Sequence, residues 1–487
     1  MLGMNSCPTP SKPTISGDVF DALPDSIRAY IRYLEARIHD LGLRLSKNSS
    51  NSSKPPSSDG LKRKPKSLRE RTGKKPGAQP GHVGKGLLQA QNPDVIVTYA
   101  PVNCDGCGSH LDEVNGSCVE KRQVFDLPQP QVEVTEHRIE EKKCPCCGCI
   151  SRAIFPDTIK GPVQYGERVQ ALTAYFSHQH FIPIDRLCQI FEDVFGMPIS
   201  PGTCSNVDDK LFRNLESFES SLKAYLLAAR VLHFDESGIR CEKKLHWVHV
   251  ASSQMATFYT IHAKRGQEAM DAAGILPHFE GFAVHDHWHP YFSYKAIHAL
   301  CNAHHLRELT FVHEQAQEEW ARRMKDLLIF GKNEAEKYRA VGTLPASIAR
   351  QIERSYDEII EDGLRYHDQQ SPLSQESRGK PKQRPGKNLL DRLQEKRVLV
   401  LWFINCLAVP FTNNQGEQDI RMVKLKQKIA GCFRTLIGGQ IFCRIRSYIS
   451  TARKQEWNIW DALTEAIRGN PRQLAIDQAL QIEISIA

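Results

Sequence analysis

No run of apolar residues in this chain reaches the ~20 needed to cross a bilayer, and its start lacks a basic-then-apolar export pattern. Both absences lead us to expect a cytoplasmic protein with no membrane partner. No internal repeat is present, which argues against a stack of like units. Cysteine, by contrast, is plentiful at 15 residues. In a long chain without an export pattern that number suggests reduced thiols and bound metal rather than disulfides.

The length, 487 residues, exceeds what one hydrophobic core supports, so about two to four domains are expected. Apolar residues at 40 % and charged residues at 25 % are ordinary for a globular protein. The net charge of +8 is concentrated. Ten Lys or Arg stand between positions 54 and 85 against only Asp59 and Glu70, a surplus that equals the whole chain's. Such an arm, rich in Pro and Gly, gains affinity for nucleic acid by releasing counterions from phosphates. Lys62, Arg63, Lys64, Lys74 and Lys75 are its candidate DNA contacts. A solvated linker has the same composition.

Ahead of this arm, Ile27, Ile31, Leu34, Ile38, Leu41 and Leu45 recur at three- and four-residue steps. The spacing predicts a helix with one apolar face, suited either to zipper-like self-association or to packing within its own domain. Beyond the arm, Cys104-x-x-Cys107-Gly and Cys144-x-x-Cys147-Gly repeat one pattern. It puts two thiolates on one ion, with glycine permitting the backbone just after, and four thiolates close a structural Zn²⁺ tetrahedron. Cys146 with Cys149 is a rival register without the trailing glycine. Around the pairs, VIVTY and QVEVTEHRI alternate as strands do, so a small β-rich module is expected. Residues 165–225 read as helical. RLCQIFEDVFG followed by ISPGTCSNVDDKLF gives helix-turn-helix spacing, with Gly196 as the stop and Ser200-Pro201 as the next start. Most such pairs are packing units, so DNA reading by the second helix is one of two options.

From Val231 onward, VLHF, LHWVHVAS and ATFYTIHA predict three strands, residues 266–276 a helix, and GFAV a fourth strand, as in a mixed α/β sheet. Asp235 follows VLHF, and Asp286 follows GFAV. Glu417 lies on a helix expected to start at Asn413 or Asn414. Three carboxylates on separate elements suit Mg²⁺ (or Mn²⁺), which takes hard oxygen donors, and a pair of such ions about 4 Å apart serves phosphoryl transfer. Each residue also has a bland role open to it. Asp235 and Asp286 could be strand-end caps, and Glu417 stands at capping-box spacing from Asn414. His285, His287 and His289 crowd Asp286 and raise the alternative of a His-based zinc hydrolase.

At these positions the sequence resembles the bacterial insertion-sequence DDE transposases of the family numbered sixty-six. The likeness runs through SKNSSNSSKPPSSDG, GKKPGAQPGH, the paired cysteines, HFDESGIR, VHDHWHPYF, CNAHHLREL (with Cys301, His304 and Arg307) and VPFTNNQGEQDIRMVKLKQKIAGCFRT. Glu308 departs from the pattern, standing where relatives often carry a second basic residue. The resemblance implies a ribonuclease-H-like core with a helical insertion. It implies Asp235, Asp286 and Glu417 as Mg²⁺ ligands, and cleavage at the element's ends followed by attack of the freed 3′-hydroxyl on target DNA. Arg421 and Lys424, on the helical face of Glu417, could then hold DNA phosphates. The expected partners are the element's terminal repeats, target DNA, further copies of the chain and companion proteins of the same element. A catalytically inactive DNA-binding descendant is the alternative.

The expected organisation is a zipper-like helix (1–46), a flexible basic arm (47–94), the zinc module (95–155) and a helix-turn-helix-like region (156–225). A first core segment (226–300), a helical insertion (301–398), a second core segment with the glutamate (399–455) and a helical tail (456–487) follow.

Overall fold

The computed structural model describes residues 17–48, 51–52, 77, 81, 86–370 and 383–475. The chain forms two compact units: Met1–Pro65, Pro156–Gln189 and Ile199–Ala487 make one, and Lys66–Phe155 with Ile190–Pro198 the other.

In the first unit, the short α1 (Gly17–Asp21) precedes α2 (Asp25–Ser46), the helix expected from the apolar spacing. Its stripe is open: Ile27 is 46 % exposed, Ile38 69 % and Leu45 86 %. In the second unit, the cysteine pairs sit in two turns of like form. Cys104 N donates to Ser109 O and Gly108 N to Cys104 O, while Cys144 N donates to Cys149 O and Gly148 N to Cys144 O. Both glycines have positive φ, 76° and 72°, a conformation any Cβ would strain. The hairpin β1 (Glu141–Lys143) and β2 (Ile150–Arg152) frames the second pair. The stretches VIVTY and QVEVTEHRI run outside any ladder.

Helices α3 (Glu167–Ala174), α4 (Ile184–Phe195), α5 (Pro201–Asn214) and α6 (Glu216–Ala228) follow. Gly196, at φ +60°, comes directly after α4. Ser200 caps α5, its hydroxyl accepting from Thr203 N, and Pro201 occupies the first turn where its missing N–H costs nothing.

The core sheet has five strands: β3 (Val231–Cys241), β4 (Lys244–Ser252), β5 (Thr257–His262), β6 (Phe282–His285) and β7 (Ile297–Leu300), with α7 (Gln267–Ala273) between β5 and β6. Their order is β5-β4-β3-β6-β7, antiparallel through the first three and parallel through the last three. This is the mixed sheet of a ribonuclease-H-like core. Two features differ from the sequence reading. β3 runs seven residues past Phe234, so Asp235 lies inside a strand rather than at its end, because β4 pairs with it through Cys241↔Lys244. β7 is an additional parallel strand, bonded only to β6.

Beyond the sheet come α8 (Asn302–Ala316), α9 (Glu319–Tyr338), α10 (Ala346–Asp368), α11 (Pro385–Glu395) and α12 (Arg397–Asn405). They share a core of their own around Leu309, Met324, Leu328, Ile352, Tyr356 and Leu390. Gly363 lets α10 close on α11, since a Cβ there would lie 2.8 Å from Leu390 Cδ1. Then α13 (Asn414–Ala430), α14 (Leu436–Lys454) and α15 (Ile459–Ile467) return to the sheet. Ile420 and Val423 of α13 cover one face, with Ile239, Cys241, Val248 and Val250. α14 also covers the open edge: Ser447 Oγ accepts from Tyr259 N at 2.9 Å and Thr451 Oγ1 from Thr257 N at 3.1 Å. Hydroxyls of a helix thereby satisfy amides that an edge strand would otherwise offer to another chain. No helix among the described residues is long and apolar enough to cross a membrane.

Candidate active site

The sheet register assembles the site. β3 and β4 pair without interruption from His233↔Ser252 to Cys241↔Lys244, so alternation places Asp235 on the face of Ile239 and Cys241, under α13. β3 and β6 run parallel, with His233 opposite Val284. Two residues further along that register, Asp286 comes level with Asp235 on the neighbouring strand, and strands lie about 4.8 Å apart. Glu417 sits in the first turn of α13. The helix is anchored by Asn413, buried at 3 % exposure, whose side-chain amide donates to Phe234 O at 2.7 Å and whose Oδ1 accepts from His233 Nδ1 at 2.8 Å. Asn413 is the residue before the helix, and its side chain makes no cap bond within it. With the helix starting at Asn414, Glu417 is its fourth residue rather than its third, outside capping-box spacing, and its carboxylate lies 3.6 Å from Arg421.

The electrostatics agree with this convergence. Burial, the adjacent Glu236, and then the charges of Asp286 and Glu417 push the Asp235 carboxyl well above its ordinary range, against one backbone hydrogen bond from Glu236 N. Burial likewise raises Asp286, whose Oδ1 accepts from Trp288 N at 2.9 Å. Arg265 offsets part of the cost at Asp286, and the repulsion that remains at Asp235 is what a cation would relieve. The three do not have oxygens all within 4.8 Å of one another. A pair of ions about 4 Å apart does not require that, because the ligands divide between them.

Several residues around the triad carry no signal in the sequence. Glu236, on the opposite sheet face, has a side chain only 3 % exposed. Its Oε1 accepts from Arg265 Nε and Nη2 at 2.9 and 2.6 Å, and its Oε2 from the Tyr291 hydroxyl at 2.5 Å. Arg265 in turn lies over Trp288, 4.0 Å from the ring centre, and over Trp247 at 4.9 Å. This assembly fixes the turn His289–Ser293 that follows Asp286. Glu308, the departure from the family pattern, bonds Arg392 at 2.5 Å.

The histidines near Asp286 do not form a metal centre among the described residues. His285 is fully buried, its Nε2 2.9 Å from His298 Nδ1, and burial lowers its pKa to about 3. His287 is held neutral by burial at about 4. Of the expected DNA contacts, Lys62, Arg63, Lys64, Lys74 and Lys75 lie outside the described residues. Arg421 is exposed, 3.6 Å from Glu417, whereas Lys424 donates its Nζ to Gly238 O at 2.5 Å. In the zinc module, Cys107 lies within hydrogen-bond reach of Cys104, and Cys147 of Cys144. The four thiols are not gathered within 4.8 Å of one another.

Residues 162–441 match the transposase IS66 family, and residues 101–148 match the zinc-finger binding domain of transposase IS66. Residues 7–87 match a family of unknown function, DUF6444. No curated protein matches the chain. The first of these matches covers more than half of the sequence, and the chain belongs to the IS66 transposase family. It is a transposase with a zinc-finger domain.

Proposed function

We propose that this transposase cleaves the ends of its mobile element and joins them to target DNA, using Asp235, Asp286 and Glu417. The observation that carries the reading is the register that sets Asp286 level with Asp235 beneath the first turn of α13. In the first step a water oxygen bonds to phosphorus and the bond to the 3′ oxygen breaks, leaving a 3′-hydroxyl. In the second step that hydroxyl attacks a target phosphodiester and displaces a new 3′ oxygen, so phosphodiester bonds are conserved.

The donor set is all carboxylate oxygen, which fits Mg²⁺ or Mn²⁺. Magnesium at this site supplies charge neutralisation on the transferring phosphoryl group. Asp235 and Asp286 each keep one oxygen tied to a backbone N–H, and the other would serve the cation. Arg421 stands at the rim to hold a DNA phosphate.

Cys104, Cys107, Cys144 and Cys147 would hold a structural Zn²⁺, supported by the matching turns and their glycines. The basic arm, the zinc module and the helix-turn-helix-like region would bind the element's ends. The open stripe of α2 supports self-association on DNA, with companion proteins of the element as further partners. Purified chain, a labelled element end and Mg²⁺ test the proposal. Metal-dependent nicking at the end, stopped by a chelator, is the expected result, and binding without nicking in Mg²⁺ or Mn²⁺ would favour the inactive descendant.

A further inference from the structure

Cys301, His304 and Glu417 bring a sulfur, an imidazole nitrogen and a carboxylate oxygen within 4.8 Å of one another, although Glu417 is more than a hundred residues from the other two. We propose that these three residues form a second metal site, selective for zinc-like thiophilic cations, in which the glutamate of the catalytic set is a shared ligand.

Four features build the site. Cys301 immediately precedes α8, and three backbone amides reach its sulfur: Asn413 N at 3.1 Å, with those of Ala303 and His304. Burial pushes that thiol up to about 11 against these amides, so they place the sulfur rather than ionise it. His304 follows one helical turn later, so both donors project from the same side of the helix start. Its Nδ1 is buried without a hydrogen-bond partner, a costly arrangement that a ligand role would explain. Finally, a cavity of about 210 Å³ lined by Cys301, His304 and Asp286, though not by Glu417, opens on two of the three donors and leaves room for a fourth ligand. Three protein ligands and one open position differ from the closed four-ligand shell of structural zinc.

The donors decide the cation. Sulfur and imidazole disfavour Mg²⁺ and favour zinc, which also outranks manganese and iron for such sites. Binding releases the thiol proton to solvent and leaves the imidazole neutral. Zinc at this site would withdraw Glu417 from the magnesium set, so it would inhibit cleavage. That consequence rests on the catalytic reading given above, whereas the site itself does not.

The test uses the full chain with its zinc-finger cysteines already zinc-loaded, titrated with Co²⁺ and followed by absorption. One further equivalent with a thiolate-to-cobalt charge-transfer band is expected in the wild type and in Asp235→Ala. The band should vanish in Cys301→Ser. In His304→Ala, cobalt affinity should fall by more than about 100-fold, beyond the ~10–100-fold that loss of an outer partner costs. In parallel, added Zn²⁺ should suppress Mg²⁺-supported cleavage by the wild type. Absence of the extra equivalent, or a band that survives in Cys301→Ser, overturns the site. Cleavage by Asp235→Ala would instead overturn the catalytic reading and leave the cobalt result standing.

Discussion

Asn413 is tied to Phe234: its side-chain amide donates to that carbonyl at 2.7 Å, joining the residue that opens α13 to the one before Asp235. The same side chain accepts from His233 Nδ1, and burial keeps that imidazole neutral with a pKa of about 4. Glu417, one turn into the helix, thus takes its position from the strand that carries the first aspartate.

Asn413→Ala should therefore impair chemistry more than binding. Displacing a ligand by about 1 Å costs on the order of 10²-fold in rate. Leaving His233 and the Phe234 carbonyl unpaired should cost about 1–3 kcal/mol in stability. Cleavage rate and DNA affinity measured on one preparation check this, and an unchanged rate would show that the anchor does not matter.

Asp235→Asn should stabilise the metal-free protein. The folded chain holds the Asp235 proton more tightly than the unfolded chain does, because burial and neighbouring carboxylates raise its pKa. Stability therefore falls as pH rises from the ordinary Asp range through the raised value. At neutral pH, without divalent cation, the variant should melt higher by roughly 1 °C per kcal/mol recovered. Its advantage should shrink in acid. The difference between the two proteins isolates this group from buried histidines such as His305, depressed to about 3, whose slope has the opposite sign. Equal melting at every pH would contradict the electrostatic picture.

Glu236→Gln should destabilise the fold by on the order of 2 kcal/mol. Breaking a fully buried ion pair costs about 3–5 kcal/mol, and Arg265, at 38 % side-chain exposure, retains some solvent. Tyr291→Phe removes one hydrogen bond and should cost about 1 kcal/mol. Denaturant titration of both variants checks the order, and a larger loss in Tyr291→Phe would reverse the assignment.

Arg421→Ala and Lys424→Ala should separate in their salt dependence. An exposed arginine on a phosphate contributes about 1 to the slope of log affinity against log salt. Lys424 is engaged with Gly238 O, so its removal should leave that slope nearly unchanged. Binding isotherms at several salt concentrations decide, and equal slopes for the two variants would contradict the distinction.

Local patterns were legible in the sequence, and long-range ones were not. The cysteine turns, the Ser200 cap and the α2 stripe each depend on residues within a few positions, and each is where spacing puts it. The extension of β3 through Asp235, Glu236, Ser237 and Gly238 was not legible, because these are poor strand formers held by pairing with β4. β7 was hidden by its length of four residues. The triad was marked in the sequence by three acids on separate elements and, more strongly, by family likeness, while the register that aligns Asp235 with Asp286 depends on β3 lying beside β6. Glu236, Arg265 and Tyr291 look ordinary as sequence, and their cluster exists only once the sheet has formed.

The most direct measurement is Mg²⁺-dependent nicking of an element end by Asp235→Ala, Asp286→Ala and Glu417→Ala, alongside DNA affinity. Each lost carboxylate should remove several kcal/mol of transition-state stabilisation, abolishing detectable cleavage while affinity changes little. Wild-type cleavage by any one of the three would contradict the shared metal site.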